Sequence, residues 1–224
     1  MSAIPAKKTG EMHLKRVRLA FAQGLFTPNK GGSTDPAAKD KYNCALLIKP
    51  DDLQVAAIKK CMQEVARDAY KEEAVATYNA LAKMDKLALH DGDTKPKYTG
   101  YPGMLYLNPN TTVEVPPTLI ITIDGVNCTI DTYKNDKVEQ VNFQRLLRAK
   151  FYSGCYVNAS VSFWAQKLNH KHGPRINVGL RGLQFAGDGD AFGGGGQAAD
   201  PNEFGIEGEA AVAESADGFA DEIG

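Results

Sequence analysis

The sequence lacks the segments that usually place a protein in a membrane or outside the cell. No apolar run approaches the length of about 18 residues that a membrane-spanning helix needs. Residues 1–10 contain two lysines but are followed by no apolar segment, so no secretory signal is expected. Cys44, Cys61, Cys128 and Cys155 form no Cys-x-x-Cys pair, which favours reduced thiols over disulfides or a zinc site.

Motifs that identify common enzyme classes are also absent. The chain has no Gly-x-x-x-x-Gly-Lys loop, no His-Glu-x-x-His and no Gly-x-Ser-x-Gly. Candidate acids for a metal-dependent nuclease are Asp91, Asp93, Asp124 and Asp131. A tight turn explains Asp124 and a loop explains Asp91 and Asp93, while the pair His170-x-His172 has no third ligand nearby. We therefore predict no catalysis, no metal and no cofactor.

Basic residues are missing from the last part of the chain. Residues 187–224 contain ten acids and no Lys or Arg, whereas residues 1–186 hold 26 bases and 17 acids, a net charge of +9 beside −10. Because glycines, alanines and unopposed acids bury little apolar surface, residues 187–224 are predicted to form a disordered tail. A basic domain with a tethered acidic segment suggests a protein that binds a polyanion and carries a competitor for it.

The body, residues 1–186, has the pattern of a mainly β domain. Apolar and polar residues alternate over residues 17–21 and in later runs, and Asp124-Gly125 fits the tight turn of a hairpin. The runs with strand character are residues 17–21, 42–48, 119–123, 126–130, 152–166 and 175–185. Five or so strands with turns between them predict a small barrel or sandwich.

One segment breaks this pattern with helical periodicity. Pro50-Asp51-Asp52 begins a helix with an acidic N-terminus, and apolar residues recur every four positions from Leu53 to Ala69. We predict a helical insertion at about residues 51–90. The acids of residues 51–93 outnumber the bases by three, which leaves a net charge of +12 on the rest of the body. The positive charge therefore belongs to the sheet, which argues against a helix that reads a DNA major groove.

Residues 152–166 carry the clearest functional pattern. Their odd positions are small or apolar and suit a core, whereas the even positions place Tyr156 and Trp164 on a polar face. If residues 175–185 pair with this strand, Arg175 and Arg181 join the rings, and a bulge is expected at Gly182. Rings and cations on one face suit single-stranded nucleic acid, in which unpaired bases stack and phosphates attract the cations. The alternative is that the insertion or a loop covers the rings.

Other cations extend this candidate surface. They lie on the first strand, before Phe151 and in the loop of residues 167–174. The predicted DNA-binding residues are Arg16, Arg18, Arg148, Lys150, Tyr152, Tyr156, Trp164, Lys167, Lys171, Arg175 and Arg181.

Three segments, residues 152–165, 179–185 and 187–194, resemble the phage-encoded single-stranded DNA-binding protein family. The whole layout is similar to podoviral replication proteins of that class, with an OB-fold body and a disordered acidic C-terminal tail. The resemblance implies sequence-independent binding of single-stranded DNA in phage replication or recombination, without catalysis, in the cytoplasm of the infected host.

The resemblance also implies a docking role for the tail. In podoviral relatives a terminal aromatic residue contacts replication partners, which here would be a phage polymerase, a helicase-primase or recombination proteins. Phe219 lies five residues before the end of this sequence, so it departs from a strictly terminal position. The predicted partner-binding residues are Phe204, Asp217, Phe219, Asp221 and Glu222.

Two other functions are compatible with a basic, aromatic surface. A strand-annealing or recombination-mediator protein would share that surface but bring two strands together, and a metal-dependent nuclease would add cleavage. A homo-oligomer is also compatible with the sequence.

Overall fold

The computed structural model describes residues 10–133, 137–170 and 172–192. These residues form ten strands and three α-helices. The strands are β1 (Glu11–Ala20), β2 (Lys41–Asn43), β3 (Ala45–Ile48), β4 (Leu89–Asp91), β5 (Leu105–Leu107), β6 (Asn110–Thr112), β7 (Thr118–Ile123), β8 (Val126–Cys128), β9 (Tyr156–Gln166) and β10 (Arg175–Gly187). The helices are α1 (Leu53–Tyr70), α2 (Ala74–Lys83) and α3 (Lys137–Lys150).

Seven of these strands form a closed barrel of five chain segments. Cys44 alone separates β2 from β3, and residues 108–109 separate β5 from β6, so each pair acts as one segment. The segment β2–β3 pairs antiparallel with both β1 and the segment β5–β6. The hairpin of β9 and β10 closes the ring, because β9 pairs with β1 and β10 lies parallel to β6. This arrangement confirms the predicted OB-type fold.

The remaining strands lie outside the five-segment ring. β7 runs parallel to β10 and forms a hairpin with β8, in which Asp124 and Gly125 both have positive φ, as the turn motif predicted. β4 pairs with β5.

Alternation of side chains along β9 places the core as the sequence predicted. Val157, Ala159, Val161 and Phe163 are buried, and the residues that alternate with them are at least partly exposed. In β10 the register shifts between Leu180 and Gly182, so the expected bulge is present. Because the bulge resets the alternation, Leu183 also enters the core.

The predicted helical insertion is present. The Asp52 side chain accepts a hydrogen bond from the backbone N–H of Gln54 and caps α1, which buries Ile58 and Met62. After α2 the chain passes through β4 before it rejoins the barrel at Leu105. Both helices lie within the predicted insertion of about residues 51–90, and the whole connection between β3 and β5 runs from residue 49 to residue 104.

Helix α3 was not predicted from the sequence, because only the basic residues of this stretch before Phe151 were recognised. Its core-facing side is narrow: Phe143 and Leu147 are buried one turn apart, and Phe151 continues the row just after the helix. Glu139 lies in the first turn and Arg148 in the last, as the helix dipole favours. The spacing of 143, 147 and 151 was the available signal.

The described residues extend past the predicted start of the tail at residue 187. Gly187 belongs to β10, and residues 188–192, named here the strap, hydrogen-bond to the barrel. The first compact unit of the chain reaches Gly193. The predicted disorder of the remaining acidic tail lies outside the described residues. Within the described ranges, no helix combines the length and apolarity that crossing a membrane requires.

Candidate nucleic-acid interface

A large cavity opens beside the long loop that joins the first two barrel segments. Its volume is about 970 Å³, and its walls come from residues 21–44, from the loop around Lys95 and from the segment between β5 and β6. Four lysines line it, namely Lys30, Lys39, Lys41 and Lys95. None of the described lining residues is Asp or Glu. We call this cavity the lysine groove; its electrostatic character is that of a site for an anion.

Two aromatic rings stand at the wall of the lysine groove. Phe21 is 46% exposed and Tyr98 is 47% exposed, and their rings meet edge to face with centroids 5.3 Å apart. Tyr101 is buried beneath both, and this burial raises the pKa of its phenol well above the ordinary range. Half-exposed rings on a buried aromatic base can stack on a planar ligand while staying in place.

Phe21 has an unusual backbone conformation that directs its ring away from the barrel. Alternation along β1 predicted that Phe21 would face the core, but its φ of 54° and ψ of 41° are left-handed. The next residue starts a 3₁₀ helix, Ala22–Leu25, and the N–H of Ala22 donates to the Ser153 hydroxyl at 3.1 Å. A left-handed non-glycine residue costs roughly 1–3 kcal/mol, and such strain concentrates at functional sites.

Hydrogen bonds among asparagines hold the loop that forms the other wall. The Asn29 side-chain oxygen accepts from the side-chain N–H of Asn43 at 2.9 Å and from the backbone N–H of Gly31 at 2.8 Å. Gly24 packs so closely on Asn43 that a Cβ there would lie 2.3 Å from the backbone oxygen. The loop is thus fixed in a position that keeps the lysine groove open.

The predicted cations and ring on β1 and β9 lie together on another surface. The guanidinium groups of Arg16 and Arg18 lie 4.8 and 5.0 Å from the centre of the Tyr156 ring. Arg16 also donates to the carbonyl oxygen of Ala186 at 3.2 Å. Arg16, Arg18, Tyr152 and Tyr156 form what we call the strap face. Tyr156 is half-buried, and its ring lies close to the strap residue Gly189.

The strap covers this face with specific contacts. Arg18 donates to the carbonyl oxygen of Asp190 at 2.6 Å, and its guanidinium lies 4.5 Å from the centre of the Phe192 ring. The Tyr152 hydroxyl donates to the carbonyl oxygen of Gly189 at 2.8 Å and accepts from its N–H. A Cβ on Gly154 would lie 2.1 Å from the backbone oxygen of Asp190, so only glycine permits this approach.

The strap ends next to the lysine groove. The N–H of Phe192 donates to the carbonyl oxygen of Ser153 at 2.8 Å, and Ser153 itself lines the groove. The Phe192 ring packs on the aromatic cluster that contains Tyr101, the base of the exposed rings. Phe192, the last described residue, is therefore held beside the groove.

Several other predicted cations have partners within the protein. Arg181 forms an ion pair with Glu11 at 2.8 Å, and Arg148 lies 4.7 Å from the centre of the Phe26 ring. Lys150 lies 5.1 Å from the centre of the Phe185 ring and 3.8 Å from a carboxylate oxygen of Asp188. These contacts give the side chains a structural role.

Three predicted residues lie at the other end of the β9–β10 hairpin. Trp164 is 50% exposed, and Lys167 and Arg175 are exposed as well. Lys171 and the predicted partner-binding residues Phe204, Asp217, Phe219, Asp221 and Glu222 lie outside the described residues.

None of the four lysines of the lysine groove, and neither of its two rings, was predicted from the sequence to bind DNA. The available signal was the loop of residues 21–40, which is long for a connection between two strands and contains Lys30, Lys39 and a Gly31-Gly32 pair. In an OB fold, the loop between the first two strands and the face of the second and third strands are the usual oligonucleotide site. The predicted fold class therefore already indicated this loop.

Three of the four acids considered for a nuclease have local structural roles. Asp91 accepts from the N–H of Asp93 at 2.9 Å, Asp93 accepts from the N–H of Gly103 at 2.6 Å, and Asp124 lies in the hairpin turn. In the part of the chain that the structure describes, no three His, Cys, Asp or Glu residues converge as metal ligands would. The four cysteines are free thiols, two of them buried.

Comparison with known proteins shows the family of this chain. The family model described as Enterobacter phage Enc34, ssDNA-binding protein, matches residues 10–216. The putative protein p50 of Acyrthosiphon pisum secondary endosymbiont phage 1 is 32% identical over 190 residues, which cover 84% of this chain and 89% of p50.

Two solved structures of the bacteriophage Enc34 single-stranded DNA-binding protein share the fold. The complex with ssDNA has a TM-score of 0.59 at 19% identity, and the match covers 85% of this chain and 98% of that one. The C-terminal truncation has a TM-score of 0.56 at 18% identity and covers 84% and 97%. With the family model matching most of the sequence, this chain belongs to the phage ssDNA-binding protein family typified by that of Enterobacter phage Enc34.

Proposed function

We propose that this protein binds single-stranded DNA in the lysine groove, without sequence preference and without catalysis. The observation that supports this most directly is the composition of the groove wall, which has four lysines and two half-exposed rings and no carboxylate among its described residues. Lysines track the phosphates, whereas Phe21 and Tyr98 offer faces to unpaired bases. Every base has such a face, so stacking does not depend on sequence.

Titration of fluorescent oligo-dT by anisotropy tests this proposal. Affinity should fall with salt, with a log–log slope of about −0.7 for each phosphate neutralised. An oligonucleotide of mixed sequence should bind within a few-fold of oligo-dT, and a duplex should bind more weakly. Affinity that does not change with salt would contradict the proposal. Recovery of intact labelled DNA after incubation with magnesium checks that the strand is not cleaved.

We further propose that the acidic tail competes with DNA for the groove. Eight acids and no Lys or Arg follow Phe192, and Phe192 is held beside the groove by Ser153 and the aromatic cluster. Tethering at that point gives the tail a high effective concentration at the lysines. DNA would have to displace it, so competition should be strongest at low salt.

Truncation after Gly193 tests the competition. This variant removes eight of the ten tail acids but retains Gly187 and the strap, which a truncation after Ala186 would not. We expect tighter binding of oligo-dT at low salt and a smaller difference at high salt. A matched chain of full length, in which the eight acids are replaced by Asn and Gln, should behave like the truncation. Unchanged or weaker binding in both variants would rule out competition.

We also propose that the protein covers single strands during phage DNA replication or recombination. The tail would then recruit a polymerase, a helicase-primase or recombination proteins. Phe204 and Phe219 are the tail aromatics expected to dock, flanked by Asp217, Asp221 and Glu222. Immobilised full-length protein should retain purified phage replication proteins, and the chain that ends at Gly193 should lose them while still binding oligo-dT.

A further inference from the structure

A second, smaller cavity lies where the helical insertion meets the start of β10. Its volume is about 190 Å³, and Asn108 and Asn110 line both this cavity and the lysine groove. The two cavities are therefore neighbours along one surface, joined across the segment between β5 and β6. We call the smaller one the side pocket.

Cations from two distant parts of the chain converge on the side pocket. Lys86 follows α2, and its ammonium group lies next to Gly173 in the β9–β10 loop. Its carbonyl oxygen accepts from the N–H of Ile176 at 3.1 Å, which ties the end of the insertion to β10. Arg175 lines the same pocket, and neither cation forms an ion pair with a described residue.

The acid at the pocket does not compete for these cations. Asp85 is the only Asp or Glu among the described lining residues, and its carboxylate contacts Nδ1 of His90 at 2.8 Å. Asn177 adds an unmet donor at the pocket wall, since its side-chain nitrogen is buried without a hydrogen-bond partner. A buried donor without a partner is costly, so a site that supplies an acceptor would stabilise it.

We infer that the side pocket is a phosphate subsite for the same DNA strand after it leaves the lysine groove. Lys86 and Arg175 would hold one phosphodiester group, and a small rotation of Asn177 would let its amide donate to an oxygen of that group. The backbone of the strand would cross Asn108 and Asn110 to reach it. This inference rests on the proposed function, because it extends the path of the strand that the groove binds.

Trp164 supplies a reporter at this end of the path. It is the only tryptophan, and it is the direct cross-strand partner of Asn177. A strand long enough to reach the side pocket should therefore change its fluorescence, whereas a strand confined to the lysine groove should not.

A length series of oligo-dT, from about 4 to about 16 nucleotides, tests the inference. The variant Lys86→Gln/Arg175→Gln removes both charges but retains most of the side-chain length. The control Lys83→Gln/Arg67→Gln removes the same charge from exposed positions of the insertion that line neither cavity. Circular dichroism and the thermal midpoint establish that each variant is folded, and the single variant Arg175→Gln provides a test if Lys86→Gln destabilises the insertion.

The expected result depends on oligonucleotide length. The shortest strands that bind should bind the pocket variant and the wild type equally. Long strands should lose about tenfold in affinity for the pocket variant, the loss typical of one charge-assisted hydrogen bond. The slope of the salt dependence should fall by about 0.7, the value for one phosphate. In the wild type, Trp164 emission should change only with the longer strands.

Three results would overturn the inference. The first is an equal loss of affinity in the pocket variant for oligo-dT of every length, and the second is no loss for any length. The third is an equal loss of affinity in the control variant. The failure of the proposed function is distinguishable from all three, since the wild type itself would then bind no oligo-dT of any length.

Discussion

The lysine groove and the strap face are both basic and aromatic, but their side chains have different partners. On the strap face, Arg16 and Arg18 lie against Tyr156, and Arg18 also contacts Asp190 and Phe192 of the strap. The lysine groove has half-exposed rings and no described carboxylate in its wall. A cation that already has a ring and a carbonyl as partners gains less from a phosphate. In the groove, Lys30 and Lys95 also have such partners, the carbonyl oxygen of Pro36 and the Tyr106 ring, so the half-exposed rings and the lack of a described carboxylate distinguish the two surfaces.

The two surfaces are nevertheless connected. The Ser153 hydroxyl accepts a hydrogen bond from the N–H of Ala22, and the Ser153 carbonyl oxygen accepts one from the N–H of Phe192. Ser153 therefore joins the loop that carries Phe21 to the end of the strap. One surface holds the root of the acidic tail, and the other is where that tail would compete. Substitutions on each surface separate these roles, beginning with the largest expected effect.

Removal of the exposed rings should cause the largest loss of DNA binding. In Phe21→Ala/Tyr98→Ala, each base that stacked on a ring loses roughly 1–3 kcal/mol of stacking free energy. The affinity for oligo-dT should therefore fall by at least tenfold. Anisotropy titration measures this loss. Tyr156→Ala is the matched change on the strap face and should alter affinity by only a few-fold. If Tyr156→Ala weakens binding as much as the groove variant does, the distinction between the two surfaces is wrong.

Neutralisation of the groove lysines should mainly change the salt dependence. Lys39→Ala/Lys41→Ala removes two cations, so the log–log slope for oligo-dT should become less steep by about 1.4. Lys59→Ala/Lys60→Ala makes the same change at exposed positions of α1 that do not line the groove, and its slope should match the wild type. Titrations at several salt concentrations give both slopes. Equal slopes in the two double variants would mean that Lys39 and Lys41 contact no phosphate.

A methyl group on Gly154 should loosen the strap and lower stability. Gly154 has a φ of +114°, and a Cβ there would meet the carbonyl oxygen of Asp190 at 2.1 Å. Gly154→Ala should therefore cost about 1–3 kcal/mol in the free energy of unfolding. Gly32→Ala is the control, since Gly32 also has positive φ but a Cβ there would meet open space. Urea unfolding measures the free energy of unfolding of both variants. An equal loss of stability in both would show that the contact of Gly154 with the strap contributes nothing to stability.

Local patterns were sufficient to predict much of the fold. Alternation over residues 152–166 predicted which side of β9 enters the core, and Gly182 with Leu183 marked the bulge of β10. Asp52 and the four-residue spacing predicted α1. These features depend on neighbours in sequence, or on the hairpin partner that follows directly.

The candidate site could not be predicted in the same way, because it depends on contacts between distant residues. Arg16 and Arg18 read as free cations in the sequence, but their partners Ala186 and Asp190 are 170 and 172 residues away. Phe21 fitted the alternation of β1, and only its left-handed backbone places the ring at the groove. A pattern in sequence gives the chemistry of a side chain, whereas its exposure and its partners follow from the closed barrel.

Substitution of Phe192, the last residue of the strap, should have the smallest effect on DNA binding. It tests whether the two surfaces are coupled. Phe192→Ala removes the ring that packs on the Tyr101 cluster and on Arg18, so the tail would no longer start at a fixed point beside the groove. Its effective concentration at the lysines should fall, and oligo-dT should bind a few-fold more tightly at low salt. The same substitution in the chain that ends at Gly193 should leave affinity unchanged, because no acidic segment remains to be positioned. This double-mutant cycle isolates the coupling between anchor and tail. If Phe192→Ala tightens binding equally in both backgrounds, the released strap acts by exposing Arg18 and Tyr156 to DNA, and the strap face is then itself a DNA-binding surface.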